Sequence, residues 1–249
     1  MQAVVLCGGE GVRLRPLTFY FQKTMVPIGD KEKPLLEYVV RLLTHHGFRD
    51  IILLTNYRAN QITNYFNEGP RFNAHFEFIQ DVRDVTGTGG ALLNAREELQ
   101  ENFIIYYGDI LSSIDLGKMW NEHIDNDAAC TVALAKDFPV RVGVADISND
   151  GVLKGFVEKP MLGRPVSIGI FALNRRAVDL IEEIEEGKRK DGKKPSVDLT
   201  GELIPLLIER GDKVQSYLTD SFWYDVGSLE RYEKLENHVV EKELSYLLK

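Results

Sequence analysis

The stretch Val4-Val5-Leu6-Cys7-Gly8-Gly9-Glu10-Gly11 decides the fold class, because a run of aliphatic residues ends there directly in glycines. A short aliphatic run is typical of a buried strand, and glycines that follow it indicate a tight turn. Glycines also leave consecutive backbone N–H groups open, and such groups bind phosphate oxygens. These residues therefore predict a buried strand that leads into a loop suited to a phosphorylated ligand.

Strand-like and helix-like segments alternate from this first strand through the first half of the chain. The predicted strands lie at 4–6, 51–54, 76–79, 103–107 and 130–134. The predicted helices lie at 35–46, 59–66, 91–99 and 116–124. This alternation is typical of a parallel, doubly wound sheet with helices on both faces.

The second half of the chain begins with an antiparallel pattern. Asn149-Asp150-Gly151 predicts a hairpin turn between two strand-like runs at 142–147 and 152–157. The remaining predictions are a strand at 168–173, a helix at 178–186, a solvated and mobile basic loop at 187–195, a helix at 200–210, a strand at 213–218 and a C-terminal helix at about 229–249. We therefore predict the α/β class, as a Rossmann-like three-layer sandwich with a mixed, mostly parallel central sheet. No repeat or linker divides it, so we expect a single domain over residues 1–249.

The composition restricts the function classes. The 249 residues are 44% apolar and 27% charged, enough to bury a core, and the formal net charge is −8. An acidic chain argues against nucleic-acid binding but leaves room for a small phosphorylated ligand. The two distant cysteines, Cys7 and Cys130, form no disulfide framework. With no leader sequence and no apolar run of about 20 residues, we expect a cytoplasmic protein that has no membrane partner.

Positive side chains follow the glycines. Arg13, Arg15 and Lys23 place charge beside the loop, as the binding of a polyphosphate requires. A dinucleotide-binding turn is the rival interpretation, because two glycines of the loop fit its pattern. The third glycine of that pattern is replaced by Leu14, which makes a dehydrogenase the weaker interpretation.

The opening motif as a whole, Gly8-Gly9-Glu10-Gly11-Val12-Arg13-Leu14-Arg15-Pro16-Leu17-Thr18 followed by Lys23, resembles the sugar-1-phosphate nucleotidyltransferases. This family includes the mannose-1-phosphate guanylyltransferases and the glucose-1-phosphate thymidylyl- and uridylyltransferases. Met25-Val26-Pro27-Ile28 and Lys33-Pro34-Leu35-Leu36-Glu37-Tyr38 continue the match. The resemblance extends over nearly the whole chain.

The resemblance implies roles for the residues of the opening motif. Its glycines and Arg13 would bind the triphosphate, Lys23 would contact phosphates at the reacting centre, and both cations would be catalytic. The nucleotide-binding glycines implied here are Gly8, Gly9 and Gly11. Gln22 and Thr24 stand where the family usually has prolines, which predicts a more mobile loop around Lys23.

A second glycine-rich segment, Thr86-Gly87-Thr88-Gly89-Gly90-Ala91-Leu92, resembles the part of the family that lies against the base and ribose. The resemblance implies that Gly87 contacts the nucleotide and that Gln80 reads the base. Taken alone, glycines at the start of a helix indicate close packing of that helix, and this interpretation stays open.

Two acids fit a metal site. Asp109 follows a buried strand, and the carboxyl ends of strands are where α/β sheets bind ligands. A carboxylate there suits Mg²⁺, although a helix cap or a turn is the plainer interpretation. The resemblance implies that Asp109 and Asp225, the latter in Trp223-Tyr224-Asp225-Val226-Gly227, hold Mg²⁺ as the cofactor.

The resemblance also implies a sugar-phosphate site. Glu158 would accept hydrogen bonds from sugar hydroxyls, Lys159 would hold the phosphate, and the backbone of Gly143 would approach the sugar. Ser167 begins Ser167-Ile168-Gly169, where the family commonly has Asn-Ala-Gly, so the sugar contacts differ there. We accordingly expect a nucleotide-binding half at about 1–135 and a sugar-binding half at about 136–228.

The activity that the resemblance implies is Mg²⁺-dependent transfer of a nucleotidyl group from a nucleoside triphosphate to a sugar 1-phosphate. Met25-Val26-Pro27-Ile28, Asn64-Tyr65-Phe66 and Phe156-Val157-Glu158-Lys159-Pro160 most resemble the branch that uses GTP and mannose 1-phosphate. UTP or dTTP with glucose 1-phosphate is the alternative pair, as is GTP with a heptose 1-phosphate.

Two other functions stay open beside this one. A regulatory subunit that binds nucleotide sugars but turns over weakly would share the fold, although the metal acids and cations here argue for catalysis. A metal-dependent glycosyltransferase would need an Asp-x-Asp motif, which Gly108-Asp109-Ile110-Leu111 lacks. The sequence leaves open whether the chain forms a homo-oligomer.

Overall fold

The computed structural model describes residues 1–67, 69–82, 84–140, 142–190, 192 and 195–249. The strands are β1 (Gln2–Leu6), β2 (Pro27–Ile28), β3 (Lys33–Pro34), β4 (Asp50–Thr55), β5 (His75–Gln80), β6 (Asn102–Tyr107), β7 (Ile110–Ser112), β8 (Cys130–Ala135), β9 (Val144–Ile147), β10 (Leu153–Val157), β11 (Val166–Asn174), β12 (Val214–Thr219) and β13 (Trp223–Asp225). The α-helices are α1 (Leu35–His45), α2 (Ala59–Phe66), α3 (Gly87–Leu92), α4 (Leu116–Asp125), α5 (Arg176–Lys190), α6 (Ile204–Glu209), α7 (Leu229–Glu233) and α8 (Asn237–Leu244). Within these ranges, none of the helices combines the length and apolarity that crossing a bilayer requires.

The described residues form a central sheet of seven strands in the order β12-β8-β11-β6-β1-β4-β5. β11 pairs antiparallel with both of its neighbours, whereas every other pair in the described sheet is parallel. The predicted α/β class, with a mixed and mostly parallel sheet, is therefore confirmed.

Helices cover both faces of this sheet because the central strands are apolar on both sides. In β1, Ala3 and Val5 face one core together with α1, α2, α4 and α8. Val4, between them, faces the other core with α3, α5 and α6. This period of two follows from strand geometry, and it produces the three predicted layers.

The strand order reverses at the centre of the sheet. The chain moves from β1 to β4 and β5 on one side, then returns to place β6 on the other side of β1. Leu6 pairs with Tyr107, so the segments that follow β1 and β6 leave the sheet at the same level. Such a reversal opens a crevice at the carboxyl ends of the strands, where α/β sheets bind ligands.

A small antiparallel ladder, missed by the sequence patterns, lies beside this crevice. β7 pairs with β13, with Ile110 opposite Asp225, and the N–H of Val226 donates to the carbonyl of Asp109 at 2.9 Å. Three residues per strand are too few to show a period in the sequence. The ladder brings together two acids that lie far apart in the chain.

The basic segment at 187–195, predicted as a mobile loop, is helical over its first four residues. α5 runs to Lys190, because acids one turn earlier pair with its basic residues: Glu185 with Arg189 at 2.7 Å and Glu186 with Lys190 at 3.8 Å. The loop prediction is therefore wrong for 187–190. Residues 191, 193 and 194 lie outside the described residues.

Two other predicted helices change type along their length. The predicted helix at 91–99 is an α-helix that already includes the glycines, α3, followed by a 3-10 helix, Leu93–Glu98. The predicted helix at 200–210 opens with a turn of π-helix, Leu199–Leu203, before α6. Asp198 caps that turn, accepting from the N–H groups of Thr200 at 2.9 Å and Gly201 at 2.7 Å.

The C-terminal region is not one helix. α7 ends at Glu233, and α8 begins at Asn237 and passes into a 3-10 helix, Ser245–Leu248. The break lets Leu235 pack against the core, and Asn237 donates to Asp30 at 2.8 Å. The predicted single helix is therefore interrupted at the point where the partly buried Leu235 packs against the core.

Candidate active site

The glycine loop after β1 owes its shape to Gly11. Its φ is +64°, and a Cβ there would lie 2.8 Å from Cγ2 of Thr18 and 3.0 Å from Cβ of Lys23. The hydroxyl of Thr18 also donates to the Gly11 carbonyl at 2.9 Å. Gly11 therefore lets the loop fold back against the segment that carries Lys23.

The first two glycines of the loop lie in different surroundings. A Cβ at Gly8 would lie 3.2 Å from Cβ of Asn56, so a side chain there would press on the end of β4. A Cβ at Gly9 would meet no described atom within 4 Å. Gly9 is exposed, and its backbone is open to a ligand.

Gln22 makes several hydrogen bonds within the loop around Lys23. Its side chain is fully buried, donates to the Cys7 carbonyl and accepts from the N–H of Thr24 at 2.5 Å and its hydroxyl at 2.6 Å. These bonds cap the 3-10 helix Lys23–Met25. Hydrogen bonds of Gln22 thus hold this segment where the family usually has prolines, and its mobility stays a prediction.

Each candidate metal acid is paired with a cation. Nζ of Lys23 donates to Oδ2 of Asp109, with side chains 16% and 19% exposed. Nη1 of Arg231 donates to Oδ2 of Asp225, and both side chains are 25% exposed. Arg231, which the sequence analysis missed, precedes the end of α7 and follows the motif by only four residues.

Asp225 has one oxygen free for a further ligand. Its Oδ1 is buried and has no hydrogen-bond partner among the described residues. A Cβ at Gly227 would lie 2.5 Å from this oxygen and 3.4 Å from Nη2 of Arg13. Gly227 therefore leaves the space in which Asp225 Oδ1 and the exposed guanidinium of Arg13 approach each other.

This donor set fits a hard cation. Two carboxylates are joined by the β7–β13 ladder, and one of their buried oxygens has no partner within the described ranges. The described residues hold no cluster of three or more metal-binding side chains. Two protein carboxylates, with the remaining ligands supplied by substrate phosphates and water, are what Mg²⁺ commonly uses.

The second glycine-rich segment packs against a neighbouring backbone. A Cβ at Gly87, where φ is +86°, would lie 2.8 Å from the carbonyl carbon of Val197. The N–H of Gly89 donates to the same carbonyl at 2.9 Å. Close packing is thus an observed role of these glycines, and contact of Gly87 with a nucleotide stays a prediction. Gln80, at the exposed end of β5, lies on the same edge of the sheet.

The predicted sugar residues lie on or beside the β9–β10 hairpin. A Cβ at Gly143 would lie 2.6 Å from Cε1 of Phe156 and 3.0 Å from Oε2 of Glu158. Nζ of Lys159 lies 3.7 Å from Oε1 of Glu158, and both side chains are about two-thirds exposed, at 65% and 64%. Gly143, Glu158 and Lys159 are thus together. Ser167 is exposed on β11, opposite Leu134.

Tyr107 is a further residue at this edge that the sequence analysis did not single out. Its hydroxyl is buried, and burial raises its pKa to about 12, an effect that the nearby Thr88 side chain partly opposes. A Cβ at Gly169, where φ is +76°, would lie 3.0 Å from its ring. Its position in the sequence directly before Gly108-Asp109 is the feature that could have identified it.

Residues 2–242 match the sequence model of the family described as nucleotidyl transferase. The chain belongs to this family. It is 28% identical to the UTP–glucose-1-phosphate uridylyltransferase of Synechocystis sp., over 98% of this chain and 64% of that protein. It is 29% identical to the mannose-1-phosphate guanylyltransferase of Mycobacterium tuberculosis, over 93% of this chain and 62% of that protein. The family predicted from the opening motif is therefore confirmed.

The fold of this nucleotidyl transferase is also found in a crystal structure. A Bacillus anthracis protein with a provisional assignment as a glucose-1-phosphate thymidylyltransferase, in complex with sucrose, aligns with a TM-score of 0.76. The sequence identity is 21%, and the match covers 96% of this chain and 95% of that one. The chain spans only part of the curated relatives it matches, from 64% to 51% of their length.

Proposed function

We propose that this chain transfers a nucleotidyl group from a nucleoside triphosphate to a sugar 1-phosphate, with release of pyrophosphate and dependence on Mg²⁺. One observation supports the proposal: the β7–β13 ladder places the backbone of Asp225 next to that of Asp109, directly after β6, and Lys23 from the segment after β1 pairs with Asp109. Carboxylates, open N–H groups and fixed cations in one crevice suit a reaction that moves negative charge between phosphates.

The substrates that we propose first are GTP and mannose 1-phosphate. The motifs that resemble the guanylyl branch support this pair, as does the mannose-1-phosphate guanylyltransferase among the relatives. A uridylyltransferase relative of nearly equal identity supports the alternative, UTP or dTTP with glucose 1-phosphate. A guanylyltransferase that acts on a heptose 1-phosphate is the third candidate. We place the reaction in the cytoplasm.

Asp109 and Asp225 are the residues that would hold Mg²⁺. When bound there, the cation supplies positive charge to the phosphates and polarises a phosphoryl oxygen as a Lewis acid. Asp225 Oδ1, buried and without a partner in the described structure, is the oxygen best placed to bind it.

The residues of the chain bind and orient the reactants. The loop glycines, Gly8, Gly9 and Gly11, bind the triphosphate through their N–H groups. Arg13 neutralises the departing pyrophosphate, and Lys23 contacts the α-phosphate. Their fixed charge stabilises the transition state more than it stabilises the substrates.

The hairpin residues serve the second substrate. Lys159 holds the phosphate of the sugar 1-phosphate. Glu158, whose Oε1 lies 3.7 Å from Nζ of Lys159, accepts hydrogen bonds from sugar hydroxyls. Gly143 gives the sugar access to Glu158, since any side chain there would fill the space beside its Oε2. Ser167 and Gln80 complete the proposed sugar and base contacts.

The reaction needs no general base. A phosphate oxygen of the sugar 1-phosphate, already an anion, attacks the α-phosphorus in line and forms the new oxygen–phosphorus bond. The bond from the α-phosphorus to the β-phosphate oxygen breaks, and pyrophosphate leaves with its electron pair. Catalysis therefore consists of positioning and of charge neutralisation.

The test is an assay of pyrophosphate release with Mg²⁺, in which GTP, UTP, dTTP, CTP and ATP are crossed with mannose, glucose and heptose 1-phosphates. We expect release with one pair, highest for GTP and mannose 1-phosphate, and its loss when a chelator is added. Release with another pair would revise the substrates only. Nucleotide binding without release from any pair would favour the regulatory function over catalysis.

A further inference from the structure

The two proposed metal carboxylates are held by side-chain cations in the described structure. Lys23 pairs with Asp109, and Arg231 pairs with Asp225. The two carboxylates are thus matched by two paired cations, and the guanidinium of Arg13 lies near Asp225 as a third positive charge. A divalent cation that enters this group must compete with the two side chains for the same oxygens.

Arg231 is the member of this group that none of the sequence motifs identifies. Its backbone is fixed on both sides, because its N–H donates to the Ser228 hydroxyl at 3.4 Å and its carbonyl accepts from Tyr224 at 2.7 Å. α7, which carries it, packs against the 3-10 helix Val12–Leu14 of the glycine loop. The helix that carries the guanidinium therefore lies beside both Asp225 and the glycine loop.

The two oxygens of Asp225 are not equivalent. Oδ2 accepts from Arg231, whereas Oδ1 is buried and has no hydrogen-bond partner within the described residues. A cation at Oδ1 would be close to the guanidinium charge on Oδ2, and like charges at such a distance repel strongly where solvent is partly excluded. Arg231 therefore lowers the affinity of Asp225 for a metal for as long as it stays there.

We propose that Arg231 is a positioning residue that competes with Mg²⁺ for Asp225 until a triphosphate draws its guanidinium toward the glycine loop. This inference rests on the proposed function, since it takes Asp109 and Asp225 as the metal residues. A bound triphosphate carries about four negative charges, and it would lie at the glycine loop beside Arg13. The guanidinium of Arg231 could then pair with a phosphate there instead of with Asp225. Nucleotide binding and metal binding then strengthen each other. The nucleotide draws Arg231 away from Asp225 and so favours the metal, and the metal at Asp225 displaces Arg231 and so favours its contact with the nucleotide.

The test is Mn²⁺ binding to the nucleotide-free protein, followed by electron paramagnetic resonance of the free ion. Arg231→Met keeps much of the side-chain length but removes the charge, and we expect it to bind Mn²⁺ about tenfold more tightly than the wild type. Lys234→Met is the matched control, since it removes a cation from the same helical region that pairs instead with Glu230 at 2.6 Å. We expect the control to bind Mn²⁺ as the wild type does.

A double variant ties the effect to Asp225. Asp225→Asn in the Arg231→Met background should cancel the gain in Mn²⁺ affinity, because the carboxylate that the guanidinium shields is gone. Arg231→Gln repeats the test with a polar side chain, and circular dichroism checks that each variant is folded. A gain that survives Asp225→Asn would place the metal elsewhere and overturn the inference.

Pyrophosphate release by the wild type separates this inference from the proposed function. If release depends on Mg²⁺ but Arg231→Met and Arg231→Gln bind Mn²⁺ no more tightly than the wild type, the inference is wrong and the proposed function stands. If both variants gain affinity but no substrate pair releases pyrophosphate, the metal site and the competition stand and the proposed reaction is wrong.

Discussion

Gly227 shows how a single missing side chain shapes the candidate active site. Its backbone does not need the left-handed region, so the reason for glycine here is space rather than conformation. A Cβ would lie 2.5 Å from Oδ1 of Asp225 and 3.4 Å from Nη2 of Arg13. Gly227, at the end of the motif around Asp225, thus leaves space beside Oδ1 of Asp225, the oxygen that we propose as a metal ligand.

Gly227→Ala should therefore lower pyrophosphate release by about 100-fold, since a shift of Asp225 by a fraction of its length misplaces the reacting groups. The melting temperature should change little. Gly187→Ala is the matched control, because a Cβ at this position in α5 meets no described atom within 4 Å. That control should keep full activity and gain roughly 0.5 to 1 kcal/mol of stability. Equal activity in the two variants would contradict the role given to Gly227.

His123 is a buried histidine that should make the stability of the fold depend on pH. It is 1% exposed, with Nδ1 2.9 Å from the Thr131 hydroxyl and Nε2 3.2 Å from Oδ1 of Asn102. Burial lowers the pKa of His123 to about 4, and the nearby Asp127 only partly opposes this. The imidazole is therefore neutral in the folded chain at neutral pH.

The consequence for stability has a definite sign. As the pH falls, the unfolded chain protonates His123 near the ordinary pKa of 6.5, before the folded chain does so near 4. The stabilisation is full above pH 6.5 and is lost as the pH falls between these values, by about 2 to 3 kcal/mol. Urea unfolding at pH 7.5 and 4.5 should show a larger loss for the wild type than for His123→Gln, whose side chain does not titrate. Equal losses would contradict this account.

At this scale, the sequence was informative where a motif named the residue. Asp109, Asp225, Arg13 and Lys23 were all named from the resemblance, and their roles stay predictions, although the β7–β13 ladder brings the backbones of the two acids together. Arg231 was not predicted, because an arginine in a charged helix has no pattern that reveals its partner. Such contacts depend on tertiary distances that no local motif encodes.

At the scale of the element, α3 is held by its neighbour as much as by its own sequence. Three of its six residues are glycines, which disfavour an isolated helix. Gly87 and Gly89 instead allow the backbone of Val197 to approach, so the helix is stabilised by a backbone contact that a larger residue would prevent.

Gly87→Ala should accordingly destabilise the chain by about 3 kcal/mol, because an added Cβ both strains a positive φ and meets the Val197 carbonyl. Gly163→Ala isolates the first effect: its φ is +66°, and its Cβ would meet no described atom within 4 Å. We expect about 1 kcal/mol for that control. Urea unfolding measures both, and equal losses would show that the contact with Val197 carries no weight.

Most elements could be predicted because their apolar periods are long. β1, β4, β6, β8 and the turn at Gly151 follow runs that are typical of buried strands and hairpins. The basic residues after Gly187 were predicted as a loop from the glycine and the run of positive charge. That prediction did not consider the acids one helical turn earlier, which pair with these basic residues. β7 and β13 escaped prediction since each has three residues and gains its hydrogen bonds only from the other.

At the scale of the whole molecule, the reversal of strand order explains why the site lies where it does. β1 and β6 are adjacent and parallel, and the chain diverges from their carboxyl ends into the glycine loop and into Gly108-Asp109. The alternation of strands and helices predicted this sheet. The reversed direction of β11 could not be predicted, because a buried strand reads the same in either direction. The division into a nucleotide half and a sugar half stays a prediction.

The metal pair is the central claim, and Asp109→Asn and Asp225→Asn test it most directly. The measurement is pyrophosphate release at several Mg²⁺ concentrations, with the substrate pair that the wild type uses and with circular dichroism as the check on folding. We expect each folded variant to lose about 100-fold or more in rate, because one charged contact to the reacting phosphates is worth about 3 kcal/mol. Wild-type rates in either folded variant would contradict the assignment of Asp109 and Asp225 as the residues that hold Mg²⁺.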